Sequence, residues 1–476
     1  MTEKAKKSGK NKWFYWIIAV LFLLLVGVAI VGRDWLLPQK ETKDAFTRIR
    51  ERGYLIALTD KNSLNYFIDH GNPEGYQLDL LESFADFLGV PLKIIVSNDV
   101  SKLFYYLDLN AGDVIALNNP VTRDGRKLVH FASPLGETRM VLVQRRLHKS
   151  KAGNKVIQGI DDFSGDTVFY RKNIFVDPLL SAINKRVGDR IVFCSETEKN
   201  SMELIKMVSE AKLEYAICEE NLAMVAKRYY RNIDASLVLT DRIPYAWGTA
   251  HASDSLLMNI NDWLLSMNKK ELKKIYLNYY DNPGSVHQFT CDYCSFNGMK
   301  LSPYDDAIKS AGKMIRWDWR LLASLVYQES NFRQGQVSSR NATGLMQLMP
   351  DIAKKYGVDS ISSAAHQIMA GAKYVKYLES QLPDNISNPM ERIYFTLASY
   401  NVGPGKIMKA RERAEKNGLN PNKWNDNVDY YLTRRSKKNP NAASDTLYDT
   451  SLYGMEGGFV HDIMTRYMHY RNIIPE

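Results

Sequence analysis

The sequence predicts a multidomain chain: an N-terminal transmembrane helix, an α/β region of two lobes, and a mostly α-helical region. Three observations carry this. Residues 13–32 are apolar without a charge, and a helix of roughly 20 such residues crosses a bilayer core. Residues 41–281 alternate short apolar runs with amphipathic stretches, a βαβαβ rhythm that implies a parallel sheet covered by helices. From residue 303 onward helical periodicity dominates, and within 317–353 it carries an acidic side chain on an apolar face. A chain of 476 residues is long enough for two or three domains.

Residues 1–12 are polar and rich in lysine: Lys4, Lys6, Lys7, Lys10 and Lys12. Ahead of an apolar span such charges hold the N-terminus in the cytoplasm, and Trp13, Tyr15 and Trp16 suit the membrane interface. A cleaved signal peptide is the competing reading. The run is long for one, and no A-x-A site precedes Arg33. An uncleaved single-pass anchor is therefore expected, with everything after residue 33 outside the cytoplasm, in a periplasm where the cell has two membranes. The formal charge is +10, part of it in this lysine-rich tail. Without an arginine-rich helix, zinc-finger spacing or aromatic RNA-binding motif, that charge does not point to nucleic acid.

Within 41–281, residues 54–58 read as a strand, and 75–89 as an amphipathic helix stopped by Gly89 and Pro91. Residues 92–96 form a second strand, 101–110 a helix and 114–117 a third strand. The second lobe is expected over about 153–239. The chain then returns to the first lobe at Ala246-Trp247-Gly248 and ends in one helix over 253–280. Residues 282–302, broken by Pro283-Gly284, Asn297-Gly298 and Ser302-Pro303, read as a linker. Of the four cysteines, Cys291 and Cys294 form C-x-x-C, which suits a redox motif, half a zinc site or a local disulfide. With no second C-x-x-C, a small disulfide in an oxidising compartment is preferred. No cofactor or metal is expected.

In 303–476, Leu322, Leu325, Val326 and Glu329 stand at i, i+3, i+4 and i+7, one helix face. A glutamate closing a buried stripe is costly unless protonated or paired, and desolvation makes it a proton donor near neutral pH. Downstream lie Gly344-Leu345-Met346-Gln347-Leu348-Met349-Pro350 and Ala398-Ser399-Tyr400-Asn401-Val402-Gly403-Pro404-Gly405. Residues 411–445, rich in lysine and asparagine, read as a surface excursion.

The order E-S-x-F, G-L-M-Q-L-M-P, A-S-Y-N-x-G-P-G resembles the catalytic domain of soluble-type lytic transglycosylases, which share the α-helical lysozyme-like fold. The front half resembles the family 3 extracellular solute-binding proteins, two-lobed and periplasmic-binding-protein-like, through R-x-R-E-R-G-Y-L-I-A-L at 48–58, G-Y-Q-L-D-L-L at 75–81 and V-T-R-D-G-R-K-L-V-H-F-A-S-P at 121–134. The two halves together resemble membrane-bound lytic transglycosylases that cleave the MurNAc–GlcNAc β-1,4 bond of peptidoglycan glycan strands.

These resemblances imply residue roles. Glu329 would be acid and base, without the second carboxylate that hydrolysis ordinarily requires; Asp318 and Asp351 are the nearest others. Attack by the 6-hydroxyl of the same N-acetylmuramic acid would leave a 1,6-anhydro end. Ser338 would hold the saccharide, Met346 and Gln347 would line the groove, and Tyr400 and Asn401 would form its opposite wall. In the front half Arg126 would grip a ligand carboxylate and Glu219 its amino group, for an amino acid or muropeptide. Arg126 sits one residue late, with Gly125 at the family's position and Arg123 as a rival, and Glu219 replaces an aspartate. Two further departures are Phe459-Val460, where the family often has Tyr-Val, and Arg333-Gln334-Gly335, where it commonly has a proline. The alternatives are a sensor or binding module built on the front half, and a goose-type-lysozyme-like hydrolase.

Overall fold

The computed structural model describes residues 43–146, 156–281, 292–295, 299–433 and 455–476. The strands of the front half, β1 (Leu55–Thr59) to β13 (Ile243–Thr249), fall into two five-membered paths and a hairpin. The first sheet runs β4 (Leu92–Val96), β1, β5 (Val114–Pro120), β13 and β6 (His130–Phe131), with β7 (Gly136–Thr138) also on β13. Strand β1 is parallel to β4 and β5, whereas β13 is antiparallel to β5. The parallel sheet expected from the βαβαβ rhythm thus acquires a returning strand of opposite direction, bulged between Ala246 and Gly248. Periodicity reports burial and spacing but not strand direction, which is why this was not legible.

The second sheet runs β10 (Ile191–Glu196), β9 (Asp166–Arg171), β11 (Tyr215–Glu219), β8 (Met140–Arg145) and β12 (Ile233–Asp234). Helix Tyr76–Leu88 packs its apolar face under the first sheet and stops where Gly89 turns left-handed at φ 66°. Such a backbone suits glycine, which has no Cβ to clash. Trp247 stacks on Trp263 at 5.2 Å, with Phe84 edge-on beside Trp247, in the core of this half. The single helix expected over 253–280 is two, Asp254–Ser266 and Lys269–Tyr280. Met267 is extended, and the Asn268 side chain accepts from Lys270 N, starting the second helix. An asparagine N-cap inside an apolar periodic run is a boundary signal that periodicity overrides on paper.

The C-terminal half is helical: Asp305–Ile315, Trp319–Ser330, Pro350–Lys355, Ala364–Ser380, Pro389–Val402, Pro404–Lys416 and Met455–Ile473. Leu322, Leu325, Val326, Ile368, Phe395 and Ile463 are fully buried at its centre. The surface excursion expected from 411 is corrected at its start. Arg411 is buried in a helix, its Nε donating to Pro421 O at 2.8 Å and its Nη2 to Asn422 Oδ1 at 2.6 Å. Residues 434–445 lie outside the described residues.

The fold class is corrected in one respect. Among the described residues no helix is long and apolar enough to cross a membrane, and the span expected at 13–32 lies outside them. Among the described residues the architecture is the two-sheet α/β half followed by the helical half.

The halves meet closely. Hairpin β2 (Phe67–Asp69) and β3 (Asn72–Glu74) takes residues 293–295 along its edge: His70 N donates to Tyr293 O at 3.0 Å and Ser295 N to Ile68 O at 2.9 Å. Cys294 of this segment is disulfide-bonded, and Cys194 and Cys218 are free thiols; Cys291, its expected partner, lies outside the described residues. From the last helix, Tyr470 Oη donates to Gly71 O at 2.6 Å and Asn472 Nδ2 to Ile94 O at 3.1 Å.

Candidate active site

Helix Trp319–Ser330 begins where the Asp318 side chain accepts from Arg320 N, and ends at Asn331, left-handed at φ 49°. Its buried stripe delivers Glu329 to the last turn, partly buried itself. Desolvation alone pushes the Glu329 carboxyl up to about 8. Among the described residues no salt bridge offsets that burial, so at neutral pH the carboxyl holds its proton. Asp318 is unlike it. Burial would raise its carboxyl, but a forked pair with Arg320 (2.6 Å to Nη2) and the Tyr467 hydroxyl at 3.0 Å hold it below its ordinary value. Asp351 is exposed at the start of a short helix. Glu329 is the one of the three poised to give a proton.

The wall around it is assembled by hydrogen bonds. Ser330 Oγ donates to Leu345 O at 2.8 Å, tying the end of the acid helix to the G-L-M-Q turn. Gln367 Oε1 accepts from Leu345 N at 3.0 Å, while its Nε2 donates to Ser362 O at 3.0 Å. Gly344, at φ 77°, lies so close that a Cβ there would stand 2.4 Å from Gln367 Oε1. Tyr400 Oη donates to Met346 O at 2.6 Å. Burial, then the neighbouring charge of Glu329, raises the Tyr400 phenol well above its ordinary value. It stays neutral, with its proton engaged on the Met346 carbonyl.

The structure brings together Glu329, Tyr400 and the 336–348 loop with Met346 and Gln347. Gln347 Nε2 donates to Gln336 O at 3.1 Å and Gly344 O at 2.9 Å, so its donors brace the loop. The Met346 side chain is buried against Gly371, and its carbonyl faces Tyr400. Ser338 Oγ accepts from Ala342 N at 3.0 Å and closes a turn. Asn401 is exposed at the end of helix Pro389–Val402. Phe459 and Val460 pack on the core of this half, so no hydroxyl comes from position 459. Gln367 and Ser330 were missed by sequence reasoning. Nothing marks a glutamine inside a helix, 22 residues beyond the turn it braces, as a site residue. Replacing Tyr400 by Phe should cost about 1 kcal/mol of stability, since it strands the Met346 carbonyl, and should slow murein solubilisation. A denaturant midpoint and a turbidity assay on sacculi check both.

In the front half, Glu219 ends β11 and lines a cleft between the sheets together with Asn65, Asn118, Arg171 and Tyr280. Arg126 is exposed on a short 3₁₀ turn, Gly125–Lys127, and does not line that cleft; Arg123 is exposed beside it. The two residues expected to share a ligand do not converge there, and the arginine present is Arg171.

The model of the transglycosylase SLT domain matches residues 306–423, and that of bacterial extracellular solute-binding proteins, family 3, matches 55–282. A membrane-bound lytic murein transglycosylase F of Pseudomonas fluorescens (strain Pf-5) is 31% identical over 89% of this chain and 84% of its own length. The chain belongs to the membrane-bound lytic murein transglycosylase F family. A second relative of that name, from strain Pf0-1 of the same species, is 30% identical over 90% of this chain and 85% of its own. Among solved structures, holo ArgBP from T. maritima aligns with TM-score 0.40 and 20% identity, over 48% of this chain and 99% of its own. Within the transglycosylase F family frame, the SLT match encloses Glu329, the G-L-M-Q turn and Tyr400.

Proposed function

We infer that Glu329 is the single acid and base of a peptidoglycan lytic transglycosylase. The chain is such an enzyme by its family, and it cleaves the MurNAc–GlcNAc β-1,4 bond. The observation that supports the role of Glu329 is its setting: a carboxyl pushed up to about 8 by burial, on the helix that the turn at 344–350 braces. Glu329 gives its proton to the leaving glycosidic oxygen. As a carboxylate it then takes the proton of the C6 hydroxyl as that oxygen attacks the anomeric carbon, closing a 1,6-anhydro ring. Intramolecular attack requires no water-activating second carboxylate, and holding the sugar in place supplies much of the rate.

Tyr400, neutral and beside Glu329, has its proton held by Met346 O and turns its hydroxyl oxygen toward the positive charge that develops at the reacting ring. Ser338, Gln347 and Asn401 hold the saccharide by hydrogen bonds, and Met346 sets the depth of the groove through its packing and its carbonyl. The relatives are named membrane-bound, which supports association of this chain with a membrane, its catalytic half facing murein outside the cytoplasm. The solute-binding half is proposed to take a small ligand, an amino acid or muropeptide.

The test is digestion of purified sacculi by the full chain, with the fragments resolved by mass. Anhydro-muramic ends are expected throughout. Reducing ends in their place would make the protein a hydrolase of the same fold.

A further inference from the structure

Asp60 directly follows β1, Asn98 lies two residues beyond β4, Arg171 ends β9 and Glu219 ends β11. Each lies at the carboxyl end of a strand that pairs in parallel, where open α/β sheets hold their ligands. Asp60 and Asn98 belong to the first sheet, Arg171 and Glu219 to the second. The Arg171 guanidinium crosses between them. Its Nη1 is paired with Asp60, and its Nε and Nη2 donate to Asn98 O at 3.2 and 2.9 Å. Every nitrogen of the guanidinium is engaged.

Asp60 is wholly buried, and its side chain accepts from Asn62 Nδ2 and Asn65 Nδ2, each at 2.9 Å. The space left in the cleft is about 50 Å³, against the roughly 300 Å³ at which small-ligand pockets begin. Beside it, sharing Asn62 and Asn200, a cavity of about 350 Å³ opens past Lys61, Glu198 and Glu203. The cleft is therefore a built cation site with a side chain of the chain itself inside it.

We propose that Arg171 is an internal ligand: its guanidinium occupies the cation position of the interlobe cleft, and an outside ligand enters only by presenting a guanidinium or ammonium group that takes its place on Asp60. Glu219 lines the same cleft as Arg171 and feels its charge. This does not depend on the lytic reading. It reverses the expectation that the cleft holds an arginine waiting for a ligand carboxylate. A tethered competitor lowers the apparent affinity of a free ligand by the fraction of time it leaves the site open.

Calorimetry on the full chain with L-arginine as probe tests it. Arg171→Ala should bind roughly tenfold or more tightly than wild type, and adding Asp60→Asn should remove the gain. Equal affinity in wild type and Arg171→Ala, or a gain that survives Asp60→Asn, overturns the assignment. Arg171→Ala leaves a buried carboxylate uncompensated. Should it not fold alone, the readout is recovery of its thermal transition by low-millimolar guanidinium over matched sodium chloride; no recovery overturns the proposal equally.

Discussion

Replacing Glu329 by Gln is expected to lower the release of anhydro-muropeptides from sacculi by about 10²–10⁴-fold, the range a positioned general acid supplies. The amide keeps the shape of the side chain and cannot pass a proton in either direction. The same substitution should stabilise the protein at alkaline pH. A carboxyl whose folded value lies near 8 rather than 4.5 binds a proton in the native chain that the unfolded chain has already lost. Stability from that group is complete below the ordinary carboxylate range and is lost as pH rises through about 8. In Glu329→Gln that loss disappears, so the difference in Tm between variant and wild type should grow from pH 5 to pH 8. Wild-type turnover should hold to neutral pH and fall as pH rises through about 8, where the acid empties. A variant that solubilises murein at the wild-type rate would sink the assignment, and a Tm difference flat with pH would show that the carboxyl is solvated after all.

How far the sequence led can be seen at individual residues. The acid was legible because its signal is local: four positions at helical spacing place Glu329 beside Leu322, Leu325 and Val326 on one face. The capping glycine at 89 was legible for the same reason. What depends on distant partners was not. Gln367 braces Gly344 from another helix, and Ser330 ties itself to Leu345 across a loop. Arg171 and Asp60 are 111 positions apart and meet only because two sheets face each other. Arg126 was chosen by resemblance at a shifted position, and the structure leaves it on the surface, outside the interlobe cleft. Strand direction at β13 and the break at Asn268 were hidden because apolar spacing continues through both.

The largest expected loss of stability comes from a residue in the front half. Gly71, at the tip of the β2–β3 hairpin, has φ 86°. A Cβ there would lie 2.6 Å from Phe332 Cε2, 2.6 Å from Tyr327 Cδ2 and 2.9 Å from Tyr470 Oη. Tyr327 is a helix residue two positions before Glu329; at about 100° per residue it points to nearly the opposite side. The hairpin thus presses on the back of the turn that carries the acid, with Arg466 over the Tyr327 ring at 4.4 Å on the same side. Gly71→Ala combines a left-handed backbone with overpacking against the two rings and the Tyr470 hydroxyl, which together should cost about 2–4 kcal/mol. Tyr470→Phe removes only the hydrogen bond to Gly71 O and should cost about 1 kcal/mol. Urea midpoints of the two variants should fall in that order. Because the strain enters through the acid helix, Gly71→Ala should also lose murein-cleaving activity at temperatures where it is still folded. A variant with a lowered midpoint and full activity would mean that the hairpin stabilises the junction of the two halves without setting the position of Glu329.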